Sequence, residues 1–164
     1  WHLAGTAPVK GRYLLIYEPQ RQNAEKFEYW ARKIASSKGL KIVKIHKEYL
    51  KPRWVDNALY PSVNDFLSLF AHADFILTNS FHGIAFALNF NKQFACISAN
   101  SANNRIDEAL TAFDLRWRML GSDQQLLKVL ESDIDYSIVN NKIAERIAES
   151  KQFLDLALKV SDQK

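Results

Sequence analysis

The chain has 164 residues, 48% hydrophobic and 12% aromatic, so it is long and apolar enough to bury a core and is not a disordered segment. Twenty-two lysines and arginines against eighteen aspartates and glutamates leave a net charge of +4, too small to indicate nucleic acid by itself. Cys96 is the only cysteine, which excludes an internal disulfide, a thiolate zinc cluster and a dithiol redox site, and fits a cytoplasmic setting.

Trp1 to Lys10 carries no periodic signal, and an opening on Trp1-His2 without an initiator Met reads as a piece of a longer protein whose N-terminal partner domain is absent. Arg12 to Glu18 predicts a buried strand ended by Pro19. Asn23 to Ser37 predicts an amphipathic helix with Ala24, Phe27, Trp30, Ala31 and Ile34 on one face, stopped near Gly39. Leu40 to His46 alternates apolar residues with lysines, as a strand nearer the sheet edge would. Glu48 to Tyr60, with Pro52 and Trp54, is the longest irregular stretch. Ser62 to Ala71 predicts a helix with Ser62 as its cap and Asp65 in the first turn.

Phe75, Ile76 and Leu77 form a continuous apolar run, the pattern of a strand buried on both faces. Gln93 to Ser98 predicts a fourth strand, Asn100 to Asn104 a polar loop, and Ile106 to Phe113 a helix. Leu115 to Leu120, with Arg116, Trp117 and Arg118, reads as a short strand or a turn. Ser122 starts a helix through Leu130, and Ile138 to Val160 predicts a long terminal helix with Ile143, Ile147, Leu154 and Leu158 inward. Strands alternating with helices predict an α/β fold whose parallel sheet is covered on both faces, one domain over residues 1–164. No apolar run approaches the length of a membrane span.

The chain is organised around Ala73 to Phe90, where the apolar run stops at Thr78, Asn79 and Ser80 and helical spacing begins after Gly83. A strand-to-helix corner in a parallel sheet faces the crevice at the strand's carboxyl end, and the helix start favours an anion. Ser80 or Asn79 could cap the helix, Gly83 would let a ligand approach the backbone, and His82 is the one titratable side chain of the corner. The plainer reading is ordinary capping, with His82 bonded to a backbone carbonyl.

Other motifs are missing. Glu18-Pro19-Gln20 follows the first strand where a dinucleotide or phosphate-binding loop would place glycines. His2, His46, His72 and His82 lack metal-ligand spacing, so no bound metal is expected. Arg32, Lys33, Lys38, Lys41, Lys44, Lys47, Lys51 and Arg53 occupy a stretch with Glu48 as its only acid, which reads as solvated polar faces or as a patch for an anionic polymer.

The phrase A-D-F-I-L-T-N-S-F-H-G-I-A-F-A-L-N-F-N-K-Q-F resembles the signature of the polysaccharide pyruvyl transferase family, with an S-F-H-G corner after the strand and a K-P-F-like strand next. The likeness extends to Asn104-Arg105-Ile106, Leu115 to Arg118, Ile134-Asp135-Tyr136, and Arg146, Ser150 and Leu154. It covers the carboxyl-terminal half of a typical member. The resemblance implies a Rossmann-like three-layer α/β/α domain, the C-terminal domain of a glycosyltransferase-B-like fold. The implied reaction moves a pyruvyl group from phosphoenolpyruvate to two hydroxyls of a sugar, forming a ketal on an exopolysaccharide or other cell-surface glycan.

Phosphoenolpyruvate is then a co-substrate and no cofactor is needed. The implied partners are that donor, a glycan acceptor and the missing N-terminal domain, with a cytoplasmic location at the inner face of the membrane. His82 fits the general acid and Arg105 a bidentate clamp on phosphate or carboxylate. Ser80, Phe81, Gly83, Asn79 and Asn104 would shape the donor site, and Arg118 is a second cation, or else an ion pair within the fold. Some members carry R-L-H where this chain has Ser80-Phe81-His82, so one cation must come from elsewhere. Two other functions fit the same residues: a glycosyltransferase domain using a nucleotide-sugar donor, and a non-catalytic module that binds an anionic glycan or a partner through the basic stretch.

Overall fold

The computed structural model describes residues 4–19, 24–45, 52–97 and 104–161, in two compact units, Trp1–Asp133 and Ile134–Lys164. The first unit is built on six parallel strands in the order β3-β2-β1-β4-β5-β6. In chain order they are β1 (Tyr13–Tyr17), β2 (Lys41–Ile45), β3 (Asn57–Leu59), β4 (Phe75–Thr78), β5 (Gln93–Ile97) and β6 (Met119–Leu120). The helices are α1 (Ala24–Lys38), α2 (Val63–His72), α3 (Phe81–Asn89), α4 (Asn104–Ala112) and α5 (Asp123–Glu131), with a 3-10 turn at Arg116–Arg118.

The pleat sorts side chains by parity. Leu14, Ile16, Phe75, Leu77, Ala95 and Ile97 point to one face, where Phe27, Trp30 and Ile34 of α1 and Leu126 and Val129 of α5 cover them. On the other face the Tyr13 hydroxyl donates to the Leu69 carbonyl at 2.8 Å, and Tyr17 packs edge-on against Phe66 and Phe70 of α2. Phe86 of α3 joins that aromatic group. Both faces are therefore covered, so β1 and β4 carry unbroken apolar runs. The architecture is α/β and Rossmann-like.

Two predicted elements change. The stretch read as irregular contains β3, which moves the sheet edge outward from β2. Three residues, Asn57-Ala58-Leu59, are too few to show a period of two, and the pairing is fixed instead by Asp56. Its carboxylate accepts from the Ile42 amide at 2.6 Å and its own amide donates to the Ile42 carbonyl at 2.9 Å. Leu115 to Leu120 resolves into the 3-10 turn followed by a two-residue strand. Predictions for His46 and for residues 48–51 and 98–103 fall outside the described residues.

Caps agree with the sequence where a hydroxyl starts a helix: Ser62 accepts from the Asp65 amide and Ser122 from the Gln125 amide. Gly39, at φ 62°, ends α1 in the left-handed conformation that glycine adopts without steric cost. The second unit is one helix, α6 (Tyr136–Ser161). Its predicted inward stripe is not buried: Ile147, Leu154 and Leu158 are exposed. Among the described residues no helix is long and apolar enough to cross a membrane.

Candidate active site at the carboxyl ends of the strands

In the order 3-2-1-4-5-6 the winding reverses between β1 and β4, and the crevice beyond their carboxyl ends is where ligands of such sheets bind. The Asn79-to-Gly83 corner stands there. Thr78 ties the two strand ends together: its hydroxyl donates to the Tyr17 carbonyl at 2.7 Å and accepts from the Ser80 amide at 3.1 Å. That pins the backbone immediately before α3, with Asn79 buried and Ser80 nearly so.

Ser80 occupies the cap position of α3 in extended geometry, yet its hydroxyl makes no capping bond, unlike Ser62 and Ser122. The first amides of α3 and the Ser80 hydroxyl are thus donors at a helix start, the arrangement that receives an anion. Phe81 and His82 are exposed, with their rings in edge contact at 5.8 Å. An imidazole in this position can reach a ligand lying on the helix start.

Gly83 also serves the packing of the corner. A Cβ there would lie 2.3 Å from the Thr78 Oγ1 and 2.9 Å from its Cβ. The missing side chain lets α3 press against the end of β4. Gly83→Ala is expected to cost about 2–3 kcal/mol through overpacking, read as a lower urea midpoint with an unchanged slope. A loss under about 0.5 kcal/mol would show that the corner relaxes freely.

Arg105 lies in the first turn of α4 and is exposed, and Asn104 opens that helix. Since α4 follows β5 and packs beside α3, Arg105 and His82 stand at the starts of neighbouring helices above adjacent strands. Arg118 is not brought to this corner. It is fully buried, with its guanidinium donating to the carbonyls of Phe94 (3.3 Å), Val129 (3.4 Å) and Ser132 (2.8 Å) and to the Gln93 amide oxygen (2.7 Å). Gln93 and Phe94 start β5, so Arg118 serves the opposite end of the sheet.

The crevice also holds a pair that the sequence reading passed over. Glu18, directly after β1, receives the Lys44 ammonium at 2.6 Å, and the two side chains are only 1% and 9% exposed. The Trp54 ring lies 5.4 Å from the Lys44 nitrogen, and the second carboxylate oxygen of Glu18 has no hydrogen-bond partner among the described residues. A signal existed: Lys44 shares the parity of Ile42, whose side chain faces α1, so it points into the fold rather than to solvent.

The basic stretch does not form one patch among the described residues. Arg32 pairs with Glu28 and Lys33 with Asp123, both at 2.9 Å, and Lys44 is buried. Lys47 and Lys51 lie outside the described residues. Cys96 is buried within β5, which raises its thiol to about 12 and removes it as a nucleophile at neutral pH.

At the same end of the sheet a cavity of about 240 Å³ opens between α1 and the ends of β5 and β6, lined by Glu25, Lys26, Tyr29, Trp30, Ile97 and Leu120. The Tyr29 hydroxyl donates to both carboxylate oxygens of Asp123, at 2.8 and 2.9 Å, and Lys33 sits over the Tyr29 ring. Hydrogen bonds from Lys33 and then from Tyr29 hold the Asp123 carboxyl below its ordinary value.

No curated protein matches the chain. The family profile described as polysaccharide pyruvyl transferase matches residues 9–101, more than half of the sequence. The match runs from before β1 to beyond β5, taking in the Ser80-Phe81-His82-Gly83 corner and ending ahead of Arg105 and Arg118. With the sheet order, the corner at its winding reversal and this match together, the chain belongs to the polysaccharide pyruvyl transferase family.

Proposed function

We propose that the chain is the donor-binding, carboxyl-terminal half of a two-domain transferase that moves a pyruvyl group from phosphoenolpyruvate to a sugar of a cell-surface glycan. The supporting observation is the corner at the β1–β4 reversal, where an uncapped helix start, a serine hydroxyl and an exposed imidazole coincide. Phosphoenolpyruvate carries a phosphate and a carboxylate, and both suit helix-start amides and a guanidinium. Ser80 and the first amides of α3 take one anionic group, and Arg105 at the start of α4 takes the other.

In this reading His82 protonates the methylene carbon as a sugar hydroxyl oxygen bonds to the enol carbon. A second hydroxyl then bonds to the same carbon, its bond to the phosphate oxygen breaks, and phosphate leaves. Of the two hydroxyl protons, one replaces the proton placed on the methyl group and the other departs on phosphate. Charge develops on the leaving phosphate, so donors fixed in advance at both helix starts lower the barrier. The reaction belongs in the cytoplasm, at the inner face of the membrane where the glycan is assembled.

A nucleotide-sugar donor could use the same helix start, and calorimetric titration separates the two. Phosphoenolpyruvate is expected to bind and uridine diphosphate to give no heat. The reverse result would make the domain a glycosyltransferase.

A further inference from the structure

We propose that the cavity between α1 and the ends of β5 and β6 is a glycan subsite, holding the sugar that neighbours the one being modified. The proposal rests on the pyruvyl-transfer reading above. The cavity opens at the carboxyl end of the sheet, as the donor corner does, and its far wall, β6, lies two strands from β4. At the usual strand spacing β4 and β6 are roughly 10 Å apart, and as the cavity lies on the α1 and α5 face while α3 packs on the other, a glycan would reach both by crossing the carboxyl edge of the sheet.

Its lining favours a neutral polyhydroxylated ring. Trp30, Ile97 and Leu120 give an apolar floor for the C–H face of a sugar. Tyr29 is a fixed wall: its hydroxyl is bonded to Asp123, Lys33 lies 4.5 Å from its ring centre, and Trp30 meets it edge-on at 4.7 Å. A wall already ordered loses little entropy on binding. Glu25 and Lys26 are exposed at the rim, one to accept from ring hydroxyls and one to donate to them.

The same lining disfavours a nucleotide. The Gly121 amide at the rim is already bonded to the Gln125 side chain at 2.7 Å. The start of α5 carries the Asp123 carboxylate, and Glu25 adds another, so a diphosphate would meet like charge.

The test is amide NMR of the 164-residue chain titrated separately with lactose, cellobiose, maltose, uridine diphosphate and phosphoenolpyruvate. At least one disaccharide is expected to shift the amides of Tyr29, Trp30, Leu120 and Gly121 at millimolar concentration. The double variant Glu25→Ala/Lys26→Ala should weaken that binding at least tenfold with an unchanged thermal midpoint. No shift from any disaccharide at those amides, equal affinity in the double variant, or binding of uridine diphosphate there would overturn the subsite. Phosphoenolpyruvate shifts at Ser80 to Gly83 report on the donor reading in the same sample, so the two can fail separately.

Discussion

Replacing His82 by alanine in the complete transferase is expected to lower pyruvyl transfer by about 10²- to 10⁴-fold, the usual contribution of a positioned general acid. His82 is exposed at the start of α3, so the fold has little stake in it. The thermal midpoint should therefore move little while turnover collapses. Phosphoenolpyruvate should still bind, because in the proposed site its anionic groups rest on Ser80, the helix-start amides and Arg105. The parallel variant Arg105→Ala should instead weaken donor binding, and that division of effects separates acid from clamp. Wild-type turnover in the His82 variant would remove the proton donor from this corner.

Arg118→Ala is expected to cost at least about 4 kcal/mol, since it leaves several buried acceptors without their donor at about 1–3 kcal/mol each. The guanidinium spans Gln93 and Phe94 at the start of β5, Val129 in α5 and Ser132 beyond it, and it stacks 4.0 Å from the Trp117 ring. No shorter side chain bridges four acceptors on three segments. Lysine keeps the charge but not the planar fork, so Arg118→Lys should recover only part of the loss. For a domain whose whole stability is about 5–15 kcal/mol, the alanine variant would be largely unfolded at modest urea. A urea midpoint close to wild type would show that the buried guanidinium is dispensable.

Much of this was legible in the residues, for physical reasons that also mark where legibility ends. Tyr13 to Tyr17 and Phe75 to Leu77 are apolar at successive positions because helices cover both faces of the sheet, and such runs announce central parallel strands. Ser62 and Ser122 announce their helices because a hydroxyl at that position bonds the third amide on. β3 has too few residues for any period, and its register comes from Asp56 binding Ile42 across the sheet. The exposure of Ile147, Leu154 and Leu158 could not be foreseen either, because helical spacing shows which residues share a face but not what covers it.

The site divides the same way. The corner was visible because the end of a strand and the start of a helix are local events, and Asn79 to Gly83 lie within them. Arg118 stayed open between a site cation and a partner within the fold, because its acceptors at the start of β5, in α5 and beyond it are distant in the chain and only the folded sheet brings them to it. The packing of Gly83 on Thr78, five residues earlier in the chain, was not legible, because which side chain lies beneath a glycine depends on how the helix turns back onto the strand. The Glu18–Lys44 pair joins two strands through 26 residues of separation, which no local pattern encodes.

A crystal of the chain soaked with phosphoenolpyruvate tests the central claim most directly. The account predicts density for the donor at the start of α3, one anionic group on Ser80 and the first amides, the other toward Arg105, and the methylene carbon facing His82. Donor density elsewhere, or a donor whose methylene carbon lies beyond reach of the His82 imidazole, would contradict it.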